Sequence, residues 1–245
     1  MKRILSIVIC LSLVICFAHK TIVHDSALNL ELYTNSKYRE IMKNKQLYPE
    51  SMIQSLNRNE DMLNFVYDYP NNKGKVYSNT IGTIQKGIYP LLIQYDQRWG
   101  YGLYGDNVIG MNGCGPTCVS MIIAGLTGRN DITPYKVAKY ANDHGYYRDG
   151  TSWSFFTEGI RYYGITGRNI PLSRESMVQS IMNGHPLICS MKPGDFTTTG
   201  HLIVIKGMKN GRFMVNDPNS KTRSYRLWNY ETLSYQIKNI WSFSK

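Results

Sequence analysis

A thiol, an imidazole, a carboxylate and an amide are the side chains of this 245-residue sequence whose surroundings suit chemistry: Cys114, His201, Asp217 and Gln94. Cys114 stands in Gly113-Cys114-Gly115-Pro116-Thr117-Cys118, directly ahead of the apolar run Val119 to Leu126. A thiol attacks a carbonyl only as its thiolate. The free amide N–H groups and positive dipole end of a helix N-terminus favour that form. Such a nucleophile also needs a base for its proton, a group to orient the base, and donors for the oxyanion on the attacked carbonyl. His201, Asp217 and Gln94 are the candidates for those tasks.

These side chains need particular elements beneath them. Val119, Ile122, Ile123 and Leu126 recur at the spacing of a core-facing helical stripe, Pro116 suits a first turn, and Gly125 and Gly128 are places to weaken and stop. Cys114 therefore opens a buried helix. Before it, Tyr89 to Ile93 reads as an extended run ending at Gln94, and Arg98 to Gly113, with its glycines, as a surface loop. Further helices are expected from Pro134 behind a Thr133 cap, from Trp153 to Tyr163 behind Ser152, and from Arg174 to Asn183 behind Ser173. After Gly184 the pattern changes to β-formers at Pro186 to Met191, Leu202 to Gly207, Arg212 to Val215 and Ile237 to Phe243. Helices first and an antiparallel sheet later is the order of an α+β domain.

His201 opens the second of those strands and Asp217 closes the third. In an antiparallel hairpin the numbers of facing residues have a constant sum. A four-residue turn, Met208 to Gly211, sets Asp217 opposite Leu202 and beside His201. A tight Asn210-Gly211 turn slips the register by two and widens the gap unless a bulge corrects it.

Residues 19–87 read as a helical segment and linker, with helices over Ser36 to Lys45, from Pro49 burying Met52, Ile53 and Leu56, and after an Asn59 cap carrying Met62, Leu63, Phe65 and Val66. Asn71 to Lys75 reads as a linker or turn. Residues 88–245 form the second domain. Residues 1–18 have the form of an export signal: Lys2 and Arg3 precede fifteen uncharged residues, Ile4 to Ala18. That is shorter than the about 20 residues of a membrane span, and Cys16-Phe17-Ala18 is a passable cleavage site. The expectation is a secreted, extracellular protein, or a membrane-anchored one if residues 4–18 stay uncleaved. Removal of residues 1–18 leaves Cys114, Cys118 and Cys189, an odd count that is no disulfide scaffold.

The hydrophobic content of 42% is that of a globular chain. The net charge of +11 suits an anionic cell envelope. The 28 Lys and Arg are spread without a basic block, and no nucleic-acid motif accompanies the 19 tyrosines, so no nucleic-acid partner is expected.

The order Gln94, Cys114, His201, Asp217 is that of the papain-like cysteine peptidases. Gln94 followed by Asp96 and Trp99, then Gly113-Cys114-Gly115-Pro116-Thr117, then Gly200-His201 before Leu-Ile-Val, then Asn216-Asp217-Pro218 resembles their bacteriocin-leader-processing branch, over roughly Ile88 to Phe243. The best-known members cleave after double-glycine leaders and are fused to transporters; this chain resembles the stand-alone, exported bacterial members. The resemblance implies a papain-like α+β fold with a helical N-terminal extension. It makes Cys114 the nucleophile, His201 the base and acid, Asp217 the group that fixes the imidazole, and Gln94 an oxyanion donor with the Cys114 N–H. It also favours Gln94 over Gln97. Cys118 departs from the pattern, where serine or alanine is expected, and either oxidises with Cys114 or packs in the core.

Blander roles exist for each residue. His201 alone would read as a buried strand histidine, and Asp217 before Pro218 as a turn former. His144 and His185 read as loop residues. Cys114, Cys118 and His201 are poorly spaced for zinc, so no metal or cofactor is expected. The reading is a secreted thiol hydrolase acting on a peptide or cell-wall peptide, with envelope association through the N-terminus and basic surface. A cell-wall amidase or transpeptidase using the same residues, and a peptide- or surface-binding module without catalysis, are the alternatives. Oligomeric state and substrate are not readable.

Overall fold

The computed structural model describes residues 32–245; the signal-peptide expectation for residues 1–18 lies outside them. Among the described residues no helix is long and apolar enough to cross a membrane. The described residues divide into two compact units, 32–70 and 71–245.

In the first unit, α1 (Ser36–Lys43) starts where the Asn35 side chain accepts from the Lys37 N–H at 2.9 Å. It ends two residues sooner than its pattern suggests and passes into a 3-10 turn, Lys45–Leu47. α2 (Glu50–Arg58) follows Pro49 and buries Met52, Ile53 and Leu56. The expected Asn59 cap is not made by its side chain; a 3-10 turn, Glu60–Met62, leads instead into α3 (Leu63–Asn72). α3 runs on through Pro70 into the stretch read as a linker. Residues 71–87 belong to the second unit, with Ile81 buried in its core cluster.

Arg98 to Gly113 is no surface loop. It holds a small hairpin, β1 (Leu103–Tyr104) with β2 (Asn107–Val108), and a short helix α4 (Ile109–Asn112). Trp99, Tyr101, Tyr104, Val108 and Ile109 are buried, and these large side chains outweigh the glycines as a structural signal. Helix α5 (Cys114–Thr127) begins at the thiol and is buried on every side from Gly115 to Gly125, where the sequence showed one stripe. It stops at Gly128, whose φ of 78° is the left-handed cap that glycine adopts without strain. Gly125 does not weaken it. A Cβ there would strike the Tyr89 ring at 2.1 Å, so the glycine makes room for the incoming chain.

Helix α6 (Pro134–Asp143) is capped by Thr133 as expected. The helix expected over Trp153 to Tyr163 is two 3-10 turns, Trp153–Phe156 and Gly159–Tyr163, without a side-chain cap from Ser152. α7 (Arg174–Met182) follows its Ser173 cap.

A six-stranded sheet carries the rest. In space its order is β3 (Thr166–Asn169), β8 (Ile237–Ser244), β4 (Leu187–Met191), β5 (His201–Lys209), β6 (Arg212–Asn216) and β7 (Leu227–Trp228), every neighbouring pair antiparallel. Ile188, Leu202 and Val204 pack with α5 and α6. Leu187, Cys189, Ile203 and Ile205 pack on the opposite face with Met177 of α7 and Leu233 of α9 (Tyr230–Gln236). Both faces are covered, so these strands are apolar without alternation.

The β5–β6 hairpin turns tightly at Asn210 and Gly211, with φ of 52° and 72°. From Lys209↔Arg212 to Gly207↔Met214 the facing numbers add to 421; beyond Lys206 they add to 420, as in Ile205↔Val215 and Val204↔Asn216. That bulge decides the geometry of the site. An odd sum, including that of the four-residue turn, puts residues 201 and 217 on opposite faces of the ladder, whereas the even sum puts them on the same face. The hairpin expectation was therefore incomplete: the four-residue turn is not made, and Lys206 supplies the correction.

Candidate active site

Each of the four sequence-selected side chains arrives from a different place. Cys114 is the first residue of α5 and is half-buried. Pro116 suits a helix start, and Gly115 is required there by contact: a Cβ would lie 2.1 Å from Thr151 Oγ1. His201 is the first residue of β5, its side chain 8% exposed. Asp217 follows the last residue of β6 and is fully buried.

His201 Nε2 donates to Asp217 Oδ1 at 2.7 Å. With Nε2 so committed, Nδ1 is the ring nitrogen left for the thiol, and Cys114 is near enough to the imidazole to favour its charged form. Burial disfavours a charged ring, but the Asp217 carboxylate and Cys114 outweigh it and raise His201 to about 10. Burial likewise works against an ionised Asp217, and there His201 and Arg223 prevail and hold the carboxyl below its usual range. An imidazolium beside an ionised carboxylate is the resulting state.

Gln94 is placed by backbone contacts. Its N–H donates to Pro218 O at 2.8 Å, and the Asn216 side chain donates to Tyr89 O and Pro90 O at 3.2 and 2.9 Å. The stretch before Gln94 thus runs along the end of β6 without forming a strand of its own. Gln94 Nε2 donates to Gly110 O and Met111 O of α4, at 3.0 and 3.2 Å. Both amide hydrogens are used there, and Oε1 is buried without a protein donor. Gln97 is exposed and bonds the Tyr101 hydroxyl instead.

The other cysteines are elsewhere. Cys118 is buried one turn along α5, and its thiol donates to Leu202 O at 3.3 Å. Burial, followed by nearby Cys114, pushes Cys118 well above the ordinary thiol range. Cys189 is buried in β4 and is raised by burial alone. All three thiols are free, so of the two fates expected for Cys118 the structure shows core packing. Among the described residues no group of three or more His, Cys, Asp and Glu is placed to hold a metal ion. His144 ends α6 and stacks on Tyr140, and His185 leads into β4.

Three groups near the site went unrecognised in the sequence. Arg223, in the short helix α8 (Lys221–Tyr225), donates from Nε to Asp217 Oδ2 at 2.5 Å. Thr151 packs against Gly115 and shares a hydrogen bond with the Tyr104 hydroxyl at 2.8 Å. Asn112, two residues before the thiol, donates to Asp106 Oδ1 and to the Tyr147 hydroxyl, both at 2.8 Å. A basic residue six positions beyond Asp217 was the one readable hint of the first; the others depend on tertiary contacts.

Residues 86–242 match the model of the Peptidase_C39 like family. Among solved structures, the chain is similar to the peptidase domain of Streptococcus ComA, a bi-functional ABC transporter involved in a quorum-sensing pathway, with 18% identity over 64% of this chain and 96% of that one and a TM-score of 0.42. A C39-like protein from Bacillus anthracis gives 15% identity, coverage of 67% and 98%, and a TM-score of 0.41. A double-glycine-motif protease from an AMS/PCAT transporter, in complex with the leader peptide, gives 14% identity, coverage of 66% and 94%, and a TM-score of 0.33. No curated protein matches the chain.

Proposed function

Because the chain belongs to the Peptidase_C39 like family of cysteine peptidases, we propose that it hydrolyses a peptide bond outside the cell, with Cys114 as nucleophile and His201 as its base and acid. One observation carries this reading: the His201 ring is fixed through Nε2 to a buried carboxylate, with the thiol at the start of α5 near enough to favour its charged form.

The steps follow from that placement. The Cys114 thiolate attacks the carbonyl carbon, a C–S bond forms, and the carbonyl π electrons move to oxygen. The Cys114 N–H lies in the first turn of α5, where helix geometry leaves amide donors free for the oxyanion. Gln94 joins it by turning one amide hydrogen away from the Gly110 or Met111 carbonyl. The C–N bond then breaks as His201 gives its proton to the departing amine, leaving a thioester. His201 next takes a proton from water, which attacks the thioester, releases the carboxylic product and restores the thiolate and imidazolium. Asp217 keeps the ring oriented throughout and stays ionised.

A peptide substrate is supported by the family. Export is supported by Lys2, Arg3 and the apolar stretch behind them, and envelope association by the charge of +11. The test is digestion of a defined peptide library and of muropeptides, with new termini read by mass spectrometry. Wild-type protein is expected to cut library peptides and Cys114→Ala to cut none. Cleavage confined to muropeptides would replace the peptidase reading with the amidase one, and equal products from both proteins would overturn the role of Cys114.

A further inference from the structure

Asp217 has more partners than the imidazole. Oδ1 accepts from His201 Nε2 at 2.7 Å and from the Asn219 N–H at 2.8 Å, and Oδ2 accepts from Arg223 Nε at 2.5 Å. The carboxylate is fully buried, whereas the Arg223 side chain is 27% exposed. Helix α8 grips the same residue a second time: Ser224 Oγ accepts from the Asp217 N–H at 2.8 Å and donates to Ser220 O at 2.7 Å. The helix is itself fixed. Ser220 caps it through the Arg223 N–H, and the buried Trp228 indole donates to Arg223 O at 3.1 Å. Phe196, tilted against Trp228 with ring centroids 4.4 Å apart, lies beneath the guanidinium.

We propose that Arg223 is a positioning residue of the hydrolytic site, holding the Asp217 carboxylate ionised and turned toward His201, so that the working set is Cys114, His201, Asp217 and Arg223. This rests on the functional reading above. Each carboxylate oxygen then has one charged partner. A carboxylate fixed at both oxygens cannot rotate about its χ2 axis, and the ring it receives is fixed with it. Without the guanidinium, Oδ2 is buried and unpaired, and a proton settles there more readily. A neutral Asp217 no longer holds an imidazolium. The charged or titratable groups acting on this carboxyl are His201 from β5, Arg223 from α8 and the Cys118 thiol from α5.

The experiment is the rate of Cys114 alkylation by iodoacetamide from about pH 4 to about pH 9, mapped by mass spectrometry. It compares wild type, Arg223→Met, Arg223→Lys, Arg223→Gln, Asp217→Asn and the Arg223→Met/Asp217→Asn double variant. Arg223→Met is expected to move the acid side of the profile toward neutral by about one pH unit and to slow the plateau about tenfold. Arg223→Lys recovers most of the shift, and Arg223→Met adds nothing in the Asp217→Asn background. If Arg223→Met fails to fold, Arg223→Gln, which keeps a donor without the charge, is expected to show the same shift. Unchanged midpoints in the Met and Gln variants, or additive effects in the double variant, would mean that Arg223 only stabilises the fold and would overturn the proposal. A wild-type Cys114 without His201-dependent reactivity would overturn the functional reading itself; a reactive wild type with unshifted variants would overturn this inference alone.

Discussion

Two thiols four residues apart on α5 have opposite surroundings: Cys114 is half-buried at the helix start, and Cys118 is fully buried with its hydrogen given to Leu202 O. Position on the helix and burial, rather than residue type, separate a candidate nucleophile from core filling. Cys118→Ala is therefore expected to leave kcat/KM within about twofold of wild type while lowering stability by about 1 kcal/mol. Urea unfolding and steady-state kinetics on one preparation check both halves. A large loss of activity at unchanged stability would place Cys118 in the chemistry. At this scale the sequence was informative about Cys114, His201 and Asp217, because a thiol between glycines ahead of an apolar run and a histidine at the head of a strand are local signals. Arg223 and Thr151 were not legible, because each matters only through what the fold brings against it. Gln94 lies between these cases. Its position was readable, but its present bonds to Gly110 and Met111 depend on α4, which the sequence presented as loop.

The decisive element is the β5–β6 hairpin. Its Asn210-Gly211 turn requires positive φ at both residues, and glycine takes that conformation without strain. Gly211→Ala is expected to cost about 1 kcal/mol, seen as a lower urea midpoint at unchanged m-value. A changed m-value would mean that the turn does more than connect two strands. Both strands and both possible turns are legible in the sequence, but the face on which His201 and Asp217 lie is not. The missing fact was one extra residue, Lys206, between Ile205 and Gly207. Bulges leave little local signature, since burial of Lys206 is half complete and its neighbours are ordinary strand residues. The stretch Arg98 to Gly113 is hard to read for the opposite reason: its glycines signal a loop, while Trp99, Tyr101 and Tyr104, all buried, set its structure. The Cys114 helix, the α6 and α7 caps and the four main strands were legible because hydroxyl caps, glycine stops and β-branched runs act locally.

For the whole molecule, the His201–Asp217 pair links stability to pH. Folding raises His201 from 6.5 to about 10, so its contribution is complete below about 6.5 and is lost as pH rises through about 10. Folding lowers Asp217 from 3.8, so its contribution is present above 3.8 and is lost as pH falls through its depressed native value. The two shifts share one ion pair and are not added, and Arg223 contributes further to that of Asp217. A plateau of stability between those limits, with losses beyond each, is the expected denaturation profile; His201→Ala is expected to flatten the alkaline loss, and an unchanged alkaline limb in that variant would assign it to other groups. The most direct single measurement is mass-mapped alkylation of the folded, reduced protein by iodoacetamide from about pH 4 to about pH 9, on wild type and His201→Ala. The expected result is that Cys114 reacts well below about pH 8, faster than Cys118 or Cys189, and that His201→Ala removes the advantage. A Cys114 that is inert, or no faster than the two buried thiols, would contradict a thiolate–imidazolium pair at this site.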